Sequence, residues 1–308
     1  MTTVAITGAT GFIGRVLLKH LLDQGFRIKA LYRPSSTTPP ELSDSVQWLA
    51  GNLEDLASLR ALVSDTDAII HCAGAVRGST LEQFKKVNAD GVTRILQVAI
   101  EQNVARFILM SSLAAREPNL SFYAASKKLG EDALQDYSDK ISWSILRPPA
   151  VYGPGDREMQ PLLQLIKRGF VPIIGDRSAH FSLLYVDDLA EAVTCLLNTS
   201  QRSHGQCFEL HDGHPDGYTW QQIADIAADL NGKGPRSFSI PRPLMQMIGS
   251  ANVSLSRLVG YQPMLTPGKV REIFHPNWVC DNTAISMAID WQPRVQFHEG
   301  MKRLFYIG

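Results

Sequence analysis

A tyrosine and a lysine four residues apart, Tyr123 and Lys127 in the stretch YAASK, are the side chains of this 308-residue sequence best suited to chemistry. On a helix this spacing puts both side chains on one face. A tyrosine that exchanges a proton near neutral pH must have its pKa lowered by about three units, and a neighbouring ammonium favours the phenolate. The pair therefore predicts proton transfer to or from a substrate oxygen, although many helices contain the same spacing by chance.

Two serines precede this helix at the end of a predicted strand. Ser111 and Ser112 close the apolar run FILMSS, and ligands of doubly wound sheets bind at the carboxyl ends of the strands. We expect one hydroxyl to hydrogen-bond the substrate oxygen that Tyr123 protonates. The alternative for each serine is capping of a turn or helix, and for one of the two we expect capping to be correct.

The N-terminal stretch TGATGFIG predicts a dinucleotide-binding loop. Gly8, Gly11 and Gly14 lie between an apolar strand that ends at Thr7 and an amphipathic helix. In this context the first glycine permits a tight turn, the second lets a pyrophosphate approach the backbone, and the third lets the helix pack close to the strand. The helix N-terminus adds free N–H groups and a partial positive charge. An ordinary glycine turn, the competing interpretation, does not explain three glycines in register.

The end of the next strand, ALYRPSS, bears on which dinucleotide binds. An acidic residue about twenty positions after the glycines would bind the ribose 2′-hydroxyl of NAD, but no carboxylate follows here before Glu41. Arg33 is placed to meet a 2′-phosphate, with Ser35 and Ser36 as auxiliary donors. A solvated surface arginine is the alternative. We therefore predict that the cofactor is NADP(H), NADPH in its reduced form, rather than NAD(H).

The elements that position these residues follow from the hydrophobic pattern. Short apolar runs alternate with amphipathic stretches through the first half of the chain. This alternation predicts an α/β fold of Rossmann type, in which helices cover both faces of a doubly wound parallel sheet. Residues 81–103 are predicted to form one long helix, and Asp187 or Asp188 is predicted to cap the helix in LLYVDDLAEAVTCLL.

The second half of the chain has a different texture. After Pro148, frequent proline and glycine residues interrupt regular structure. We predict an NAD(P)-binding domain over residues 1–165, to which residues 181–200 return. A smaller, mostly helical substrate-binding region, interleaved with the first, is predicted over residues 166–308.

Composition argues against several classes of protein. Thirty basic and thirty acidic residues give a net charge of zero, and no long run of one sign occurs. We therefore expect a small-molecule substrate and neither a nucleic acid nor a membrane as partner. Four scattered cysteines and an N-terminus unlike a signal peptide predict a cytoplasmic protein with free thiols. His211 and His214 have no convincing third ligand, so no metal site is expected.

Seven motifs occur in order along the chain: TGATGFIG, VNADGV, MSS, YAASK, LRPPAVYGPGD, YVDDLAEAV and DNTAISMAIDWQP. Together they resemble the extended short-chain dehydrogenase/reductase superfamily, in its epimerase/dehydratase branch, over nearly the whole chain. The resemblance implies that Tyr123 is the catalytic acid/base, that Lys127 holds the nicotinamide ribose and lowers the tyrosine pKa, and that Ser112 orients the substrate oxygen. It also implies that Asn88 supports the central strands, and that a homodimer forms through the Tyr–Lys helix and the long helix before it.

The predicted cofactor contacts come from the glycine loop, the ends of the first strands, the Tyr–Lys helix and the segment after Arg147. They are Gly8, Thr10, Gly11, Phe12, Ile13, Gly14, Arg33, Asn52, Leu53, Ala73, Gly74, Tyr123, Lys127, Pro148 and Val151. Two departures from the family pattern stand out. Asn52 and Leu53 replace an Asp-Leu pair that often lies near the adenine, and Phe181 replaces an arginine that grips the diphosphate in nucleotide-sugar epimerases.

Three functions remain open. The first is an NADP-dependent oxidoreductase that moves a hydride between nicotinamide C4 and an alcohol or carbonyl carbon of a small organic substrate, by resemblance a reductase of the dihydroflavonol or hydroxysteroid kind. The second is a nucleotide-sugar epimerase or dehydratase with tightly bound NAD(P). The third is an NADP(H) sensor without turnover, which is disfavoured because relatives of that type usually lack the Tyr–Lys pair.

Overall fold

The computed structural model describes residues 2–34, 45–199 and 203–305. Ser35 and Ser36, the predicted auxiliary donors, lie outside the described residues, as does Glu41.

The strands are β1 Thr3–Thr7, β2 Arg27–Tyr32, β3 Val46–Ala50, β4 Ala68–His71, β5 Arg106–Met110, β6 Ser142–Arg147, β7 Ala150–Tyr152, β8 Phe170–Ile174, β9 His180–Phe181, β10 Leu183–Tyr185, β11 Gln206–Glu209, β12 Arg236–Ile240 and β13 Asn277–Trp278. The helices are α1 Phe12–Asp23, α2 Leu56–Val63, α3 Leu81–Asn88, α4 Asp90–Glu101, α5 Phe122–Gln135, α6 Gln160–Lys167, α7 Val186–Asn198, α8 Trp220–Asn231, α9 Arg242–Val259, α10 Pro267–Ile273, α11 Thr283–Ala288 and α12 Phe297–Phe305. A 3-10 helix spans Leu113–Arg116.

Seven strands of the described residues form one parallel sheet, in the spatial order β11-β6-β5-β4-β1-β2-β3. The chain builds the sheet outward from β1 to β3 and then returns to build the other side from β4. The order thus reverses between β1 and β4, and doubly wound sheets bind ligands beside the carboxyl ends of the strands at this reversal. The predicted α/β fold of Rossmann type is confirmed.

Apolar layers hold helices against both faces of the sheet. On one face, Leu18 of α1 and Val193 of α7 pack in one buried cluster with Ile6 of β1. On the other face, Leu59 of α2 and Ile95 of α4 belong to a second buried cluster. Strands β4 and β5 are buried along their whole length, as expected for parallel strands covered on both sides.

The single helix predicted for residues 81–103 is wrong. The helix divides at Ala89, where φ is −120° and ψ is −60°. The division lies where α5 comes closest: a Cβ atom on Gly130 would lie 2.1 Å from the Asn88 carbonyl oxygen. Two separate helices let α3 carry Asn88 toward the active site while α4 packs on the sheet.

The prediction that Asp187 or Asp188 caps α7 is also wrong. Tyr185 precedes this helix and makes no side-chain cap, so both aspartates lie in the first turn. Asp188 instead accepts hydrogen bonds from the amides of Arg294 and Val295, at 3.1 and 2.9 Å. These bonds tie the segment before α12 to α7, and the two backbone donors compensate the burial of the carboxylate.

The later part of the chain builds a smaller apolar cluster. It is formed by β8, β10, α6, α8 and α12, and its buried members include Ile166, Val171, Ile223 and Phe297. From the same part of the chain, β11 joins the edge of the large sheet beside β6. Helix α10 lies against the start of α5, where a Cβ on Gly268 would be 3.0 Å from the Ser121 Cβ. This contact brings the second half of the chain onto the Tyr–Lys helix.

Candidate active site

The glycine loop after β1 packs so closely on its neighbours that side chains are excluded at two of its positions. Gly8 has φ of 73°, and a Cβ there would lie 2.6 Å from the Ala73 amide nitrogen. A Cβ on Gly14 would lie 2.1 Å from the Gly8 carbonyl oxygen, so helix and strand meet at a distance that only glycine permits. Helix α1 starts at Phe12 without a side-chain cap on its N-terminus. Its first amides are therefore available to a pyrophosphate.

Of the other predicted cofactor contacts, Thr10 lies in this loop and Ile13 in the first turn of α1. Below them, Thr7 at the end of β1 is hydrogen-bonded to His71 at the end of β4, with 2.9 Å between Oγ1 and Nδ1. Burial lowers the pKa of His71 to about 3, helped by the charge of Lys127. The imidazole is therefore neutral at physiological pH, and it supports the loop without adding charge.

The predicted adenine side lies where β2 and β3 end. Arg33 directly follows β2, and the adjoining strand ends are linked by a 3.0 Å bond from the Gly51 amide to the Tyr32 carbonyl. Asn52 accepts a bond from the Glu54 amide through its Oδ1 at 2.8 Å. Leu53 packs against α4, since a Cβ on Gly91 would lie 2.7 Å from the leucine Cδ1. Arg33 and Asn52 thus follow neighbouring strands at one edge of the sheet.

Helix α5 carries the predicted catalytic pair. Ser121 caps its N-terminus by accepting a 2.9 Å bond from the Ala124 amide, so Tyr123 lies in the first turn and Lys127 in the second. The Lys127 ammonium donates to the Met110 carbonyl at 2.9 Å. Burial lowers the pKa of Lys127 to about 8, against the opposing charges of Cys72 and Glu131.

The two serines after β5 have different partners. Ser112 accepts a bond from the Ala114 amide at 3.2 Å, capping the 3-10 helix, and its hydroxyl lies beside Tyr123, where it lowers the pKa of the phenol. Ser111 donates to the Glu131 carboxylate at 2.5 Å, which in turn binds Arg147. Ser112 therefore caps the 3-10 helix, and the same serine lies beside Tyr123. Ser111 instead donates to the buried ion pair of Glu131 and Arg147 behind the site.

Asn88 connects the loop after β4 to the catalytic helix. Its Oδ1 accepts from the Ala75 amide at 2.8 Å, and its Nδ2 donates to the Ala75 carbonyl at 3.0 Å and to Ser126 Oγ at 2.9 Å. This bidentate contact holds the loop that contains Ala73 and Gly74. Gly74 lies beside Lys127, since a Cβ on Gly74 would be 3.1 Å from the lysine Nζ. The predicted supporting residue thus bridges a cofactor-side loop and the Tyr–Lys helix.

The structure adds residues that the motifs do not indicate. Lys269 of α10 places its Nζ 5.3 Å from the centroid of the Tyr123 ring. It is 2.6 Å from Glu272 Oε2, and the other carboxylate oxygen of Glu272 accepts a bond from Ser121. The local sequence, TPGKVREI, signals a helix start and no more. Only the fold brings this ion pair to the N-terminus of α5.

These neighbours shift the pKa of Tyr123 in opposite directions. Burial raises the pKa of Tyr123, whereas the Ser112 hydrogen bond and the Lys269 charge lower it, and the Glu272 charge raises it. The pKa of Lys269 is reduced by burial, but Glu272 more than offsets this and leaves it raised. A phenol held protonated beside a fixed cation can give up a proton to a bound oxygen, because the resulting phenolate would face that cation.

The last two predicted cofactor residues flank the site from β6 and β7. The Pro148 carbonyl accepts a 2.9 Å bond from the Leu113 amide, and Val151 pairs with Leu184 of β10. Phe181, at the position of the arginine in nucleotide-sugar epimerases, packs on Trp220 with ring centroids 5.1 Å apart. An apolar ring packed in this way contributes no charge toward a diphosphate.

Other binding features are limited. His211 Nδ1 accepts a bond from the Gly213 amide at 3.0 Å, and the His214 ring lies 4.4 Å from that of Tyr218. Across residues 2–34, 45–199 and 203–305, no group of three or more His, Cys, Asp or Glu side chains could hold a metal ion. In those same ranges, no helix combines the length and apolar character that crossing a membrane requires.

The fold and site define a nicotinamide-dinucleotide enzyme of the extended short-chain dehydrogenase/reductase type. The chain belongs to the NAD dependent epimerase/dehydratase family, whose model matches residues 4–210. That match spans the glycine loop, α5 and the large sheet through β11.

Two sequence relatives and one solved structure illustrate what the chain is similar to. The chain is 38% identical to the ceramide reductase of Caulobacter vibrioides over 275 residues, covering 89% of this chain and 85% of that protein. It is 24% identical to the decarboxylating sterol-4-alpha-carboxylate 3-dehydrogenase of Schizosaccharomyces pombe, covering 98% and 96% of the two chains. The solved structure of UDP-glucuronic acid 4-epimerase from Bacillus cereus with UDP-glucuronic acid and NAD superposes with a TM-score of 0.76, at 18% identity, over 99% of this chain and 98% of that one.

The fold of these proteins is shared, while their chemistry divides between reduction, dehydrogenation and epimerisation. The predicted enzyme class, an NAD(P)-dependent oxidoreductase or epimerase/dehydratase, is confirmed by the family match. Which of these reactions the protein performs depends on its substrate.

Proposed function

We propose that the protein is an NADP(H)-dependent reductase acting on a ceramide-like lipid, a long-chain amino alcohol acylated on nitrogen. Its site would interconvert the secondary alcohol and the ketone of such a molecule. The reaction type rests above all on one observation, the position of the Ser112 hydroxyl beside Tyr123 with Lys127 one turn further along α5. The substrate class rests on 38% identity to a ceramide reductase over most of both chains.

The division of labour among the residues follows from their positions. Ser112 and Tyr123 would together bind the carbonyl oxygen, and Tyr123 would donate its proton to that oxygen as the alcohol forms. When bound, the nicotinamide supplies or accepts the hydride. Lys127 would bind the nicotinamide ribose from the second turn of α5. Lys269 would stabilise the phenolate that remains after proton transfer.

The remaining predicted residues would hold the cofactor. The amides of Phe12 and Ile13 at the start of α1 would bind the pyrophosphate, because the Gly11 amide already donates to the Gly8 carbonyl at 3.0 Å. Asn52 and Leu53 would lie near the adenine, and Ala73 and Gly74 would line the adenosine side. Pro148 and Val151 would lie beside the nicotinamide amide. The division into a nucleotide-binding domain over residues 1–165, with 181–200, and a substrate-binding region over 166–308 is part of the same proposal, as is a homodimer.

Nucleotide-sugar epimerisation is the competing reaction. Phe181 and its packing on Trp220 weigh against it, because an apolar ring replaces the cation that would bind a diphosphate. The solved epimerase structures share the fold at 18% identity, a level at which similar folds host different reactions.

A direct assay separates the two reactions. The purified protein is mixed with NADPH and a ketone of the ceramide type in detergent micelles, and the nicotinamide absorbance is followed. We expect stoichiometric NADPH oxidation and formation of the alcohol. UDP-glucose and UDP-glucuronic acid serve as competing substrates. Conversion of either nucleotide sugar to its epimer, without reduction of the lipid ketone, would overturn the proposal.

Arg33 is expected to select NADPH. In the variant Arg33→Ala, affinity for NADPH should fall by about 10- to 100-fold, the effect of losing a charge-assisted hydrogen bond worth about 1.5–3 kcal/mol. Affinity for NADH should stay unchanged, since NADH has no 2′-phosphate. Fluorescence titration of both cofactors measures the two values.

The matched control is Arg27→Ala. Arg27 is exposed at the opposite end of the same strand, β2, so its removal should affect neither cofactor. Tighter binding of NADH than of NADPH by the unaltered protein would refute the assignment of the 2′-phosphate to Arg33.

A further inference from the structure

Helix α9 has its apolar side turned to solvent. Residues at spacings of three and four along one face are exposed, with 64% of Met247 and 84% of Leu258 accessible to water. The exposed apolar side chains of this helix are Leu244, Met247, Ile248, Leu255, Leu258 and Val259. A helix on the surface of a globular protein normally turns such a stripe toward the core. A contiguous exposed stripe of this kind marks an interaction surface.

The two buried residues of α9, Gly249 and Ser256, are small. Gly249 is buried, and a Cβ there would lie 3.1 Å from the Thr266 backbone. Ser256 is buried as well, and Asn252 donates to the Leu265 carbonyl at 2.9 Å. The orientation of α9 is therefore fixed by close packing on the segment that leads to α10. Its apolar side faces outward as a consequence.

The charged residues of the segment that contains α9 all have one sign. From residue 230 to residue 271 the sequence contains no aspartate and no glutamate. Lys233, Arg236, Arg242 and Arg257 are exposed in this acid-free segment. The neutral charge of the whole chain conceals this local excess, because the acidic residues lie elsewhere.

We propose that α9 docks in the plane of an anionic lipid membrane, with its apolar stripe among the acyl chains and its flanking cations at the headgroups. Exposed Leu, Ile and Met side chains bordered by Arg and Lys are the features of an interfacial helix. Anionic headgroups complement a segment without acidic residues. A second copy of the chain fits less well, because a twofold interface pairs a surface with itself and would bring the cations of one copy, Arg242 and Arg257, against the cations of the other.

This docking would place the membrane one helix away from the active site. The segment after α9 holds the loop that follows β4, through a 3.1 Å bond from the Gly78 amide to the Pro263 carbonyl. It then continues into α10, whose Lys269 faces the Tyr123 ring. A lipid could therefore pass from the bilayer to Tyr123 beside α10. This role in substrate delivery rests on the proposed lipid reductase activity, whereas membrane binding itself does not.

Vesicle flotation tests the docking. The full-length protein is mixed with phosphatidylcholine vesicles, with or without phosphatidylglycerol, and the fraction that floats is measured. We expect flotation with the anionic vesicles, weakened by salt, and little with phosphatidylcholine alone. In the double variant Leu255→Asp/Leu258→Asp the bound fraction should fall by about tenfold or more, because burial of two leucines is lost. Reversal of the flanking charges, Arg242→Glu/Arg257→Glu, should abolish the preference for anionic lipid.

Met287→Asp is the matched control. Met287 is 70% exposed in α11, outside the stripe, so this variant should float like the unaltered protein. Equal flotation of the double leucine variant would overturn the proposal. Loss of a dimer in that variant, with no vesicle binding by the unaltered protein, would overturn it in favour of a self-interface.

Activity assays keep the two proposals apart. The double leucine variant should lose about tenfold or more of its rate on a vesicle-embedded ceramide-type ketone, since its membrane contact is weakened. It should keep its rate on a short-chain, water-soluble analogue. Flotation without turnover of either ketone would refute the proposed function and leave the docking intact. Equal rates of the variant and the unaltered protein on the embedded ketone would refute the role of α9 in delivery.

Discussion

The variant Tyr123→Phe is expected to lower kcat for the carbonyl reduction by about 10²–10⁴-fold, the usual contribution of a positioned general acid. Phenylalanine keeps the ring against Phe84, whose centroid lies 6.0 Å away, and removes only the hydroxyl. The substrate oxygen would then lose its proton donor. Steady-state kinetics with NADPH measure the effect on turnover.

Binding and folding should survive this substitution. Ser112 keeps the Ala114 amide as a partner, so no buried group is left without a hydrogen bond there. The cofactor affinity, measured by fluorescence titration, should be unchanged. Tyr137→Phe provides a control. Tyr137 lies after the C-terminal end of α5, and its hydroxyl accepts a bond from Gln97 on the surface. Unaltered kcat in Tyr123→Phe would show that the phenol transfers no proton in the reaction.

The surroundings of Tyr123 also show which parts of the site can be predicted from the sequence and which cannot. The glycine loop and the Tyr–Lys pair are local patterns, in which spacing along the chain determines geometry directly. The contact between Ser121 and Glu272 joins residues 151 positions apart. No periodicity predicts such a contact, because it depends on how α10 packs over α5.

Hydrophobic patterns carry a second ambiguity. The seven-residue spacing from Leu244 to Ala251 and on to Leu258 indicates an amphipathic helix, but the pattern is the same whether the stripe faces the core or the solvent. Packing at Gly249 decides the matter, since close approach to Thr266 turns the opposite face outward. The division of the predicted long helix at Ala89 is likewise decided by a tertiary contact, the approach of Gly130 to Asn88.

The buried ion pair behind α5 is a further tertiary feature, and its removal should have the largest effect on stability. Glu131 is 1% exposed and binds Arg147 through two hydrogen bonds, of 2.9 and 2.5 Å. This bonding, together with the charge of the carboxylate, raises the pKa of Arg147 above its ordinary value. The pair joins the catalytic helix to β6, and Ser111 completes it from β5.

The variant Glu131→Ala is expected to lower the free energy of unfolding by about 3–5 kcal/mol, because the Arg147 cation stays half-buried without its main partner. Chemical denaturation followed by circular dichroism measures the change. The exposed pair Lys128–Asp132 on the same helix supplies the control: Asp132→Ala should cost at most about 0.5 kcal/mol, as surface pairs at this spacing do.

The double variant Glu131→Leu/Arg147→Met distinguishes attraction within the pair from the cost of an unpaired charge. Apolar side chains of similar size remove both charges together, so most of the stability lost in Glu131→Ala should return. Turnover need not return with it, because Ser111 would still lack the carboxylate that it binds at the end of β5. A double variant as unstable as Glu131→Ala would mean that the favourable interaction of the two charges, and not the penalty of leaving Arg147 unpaired, holds α5 to the sheet.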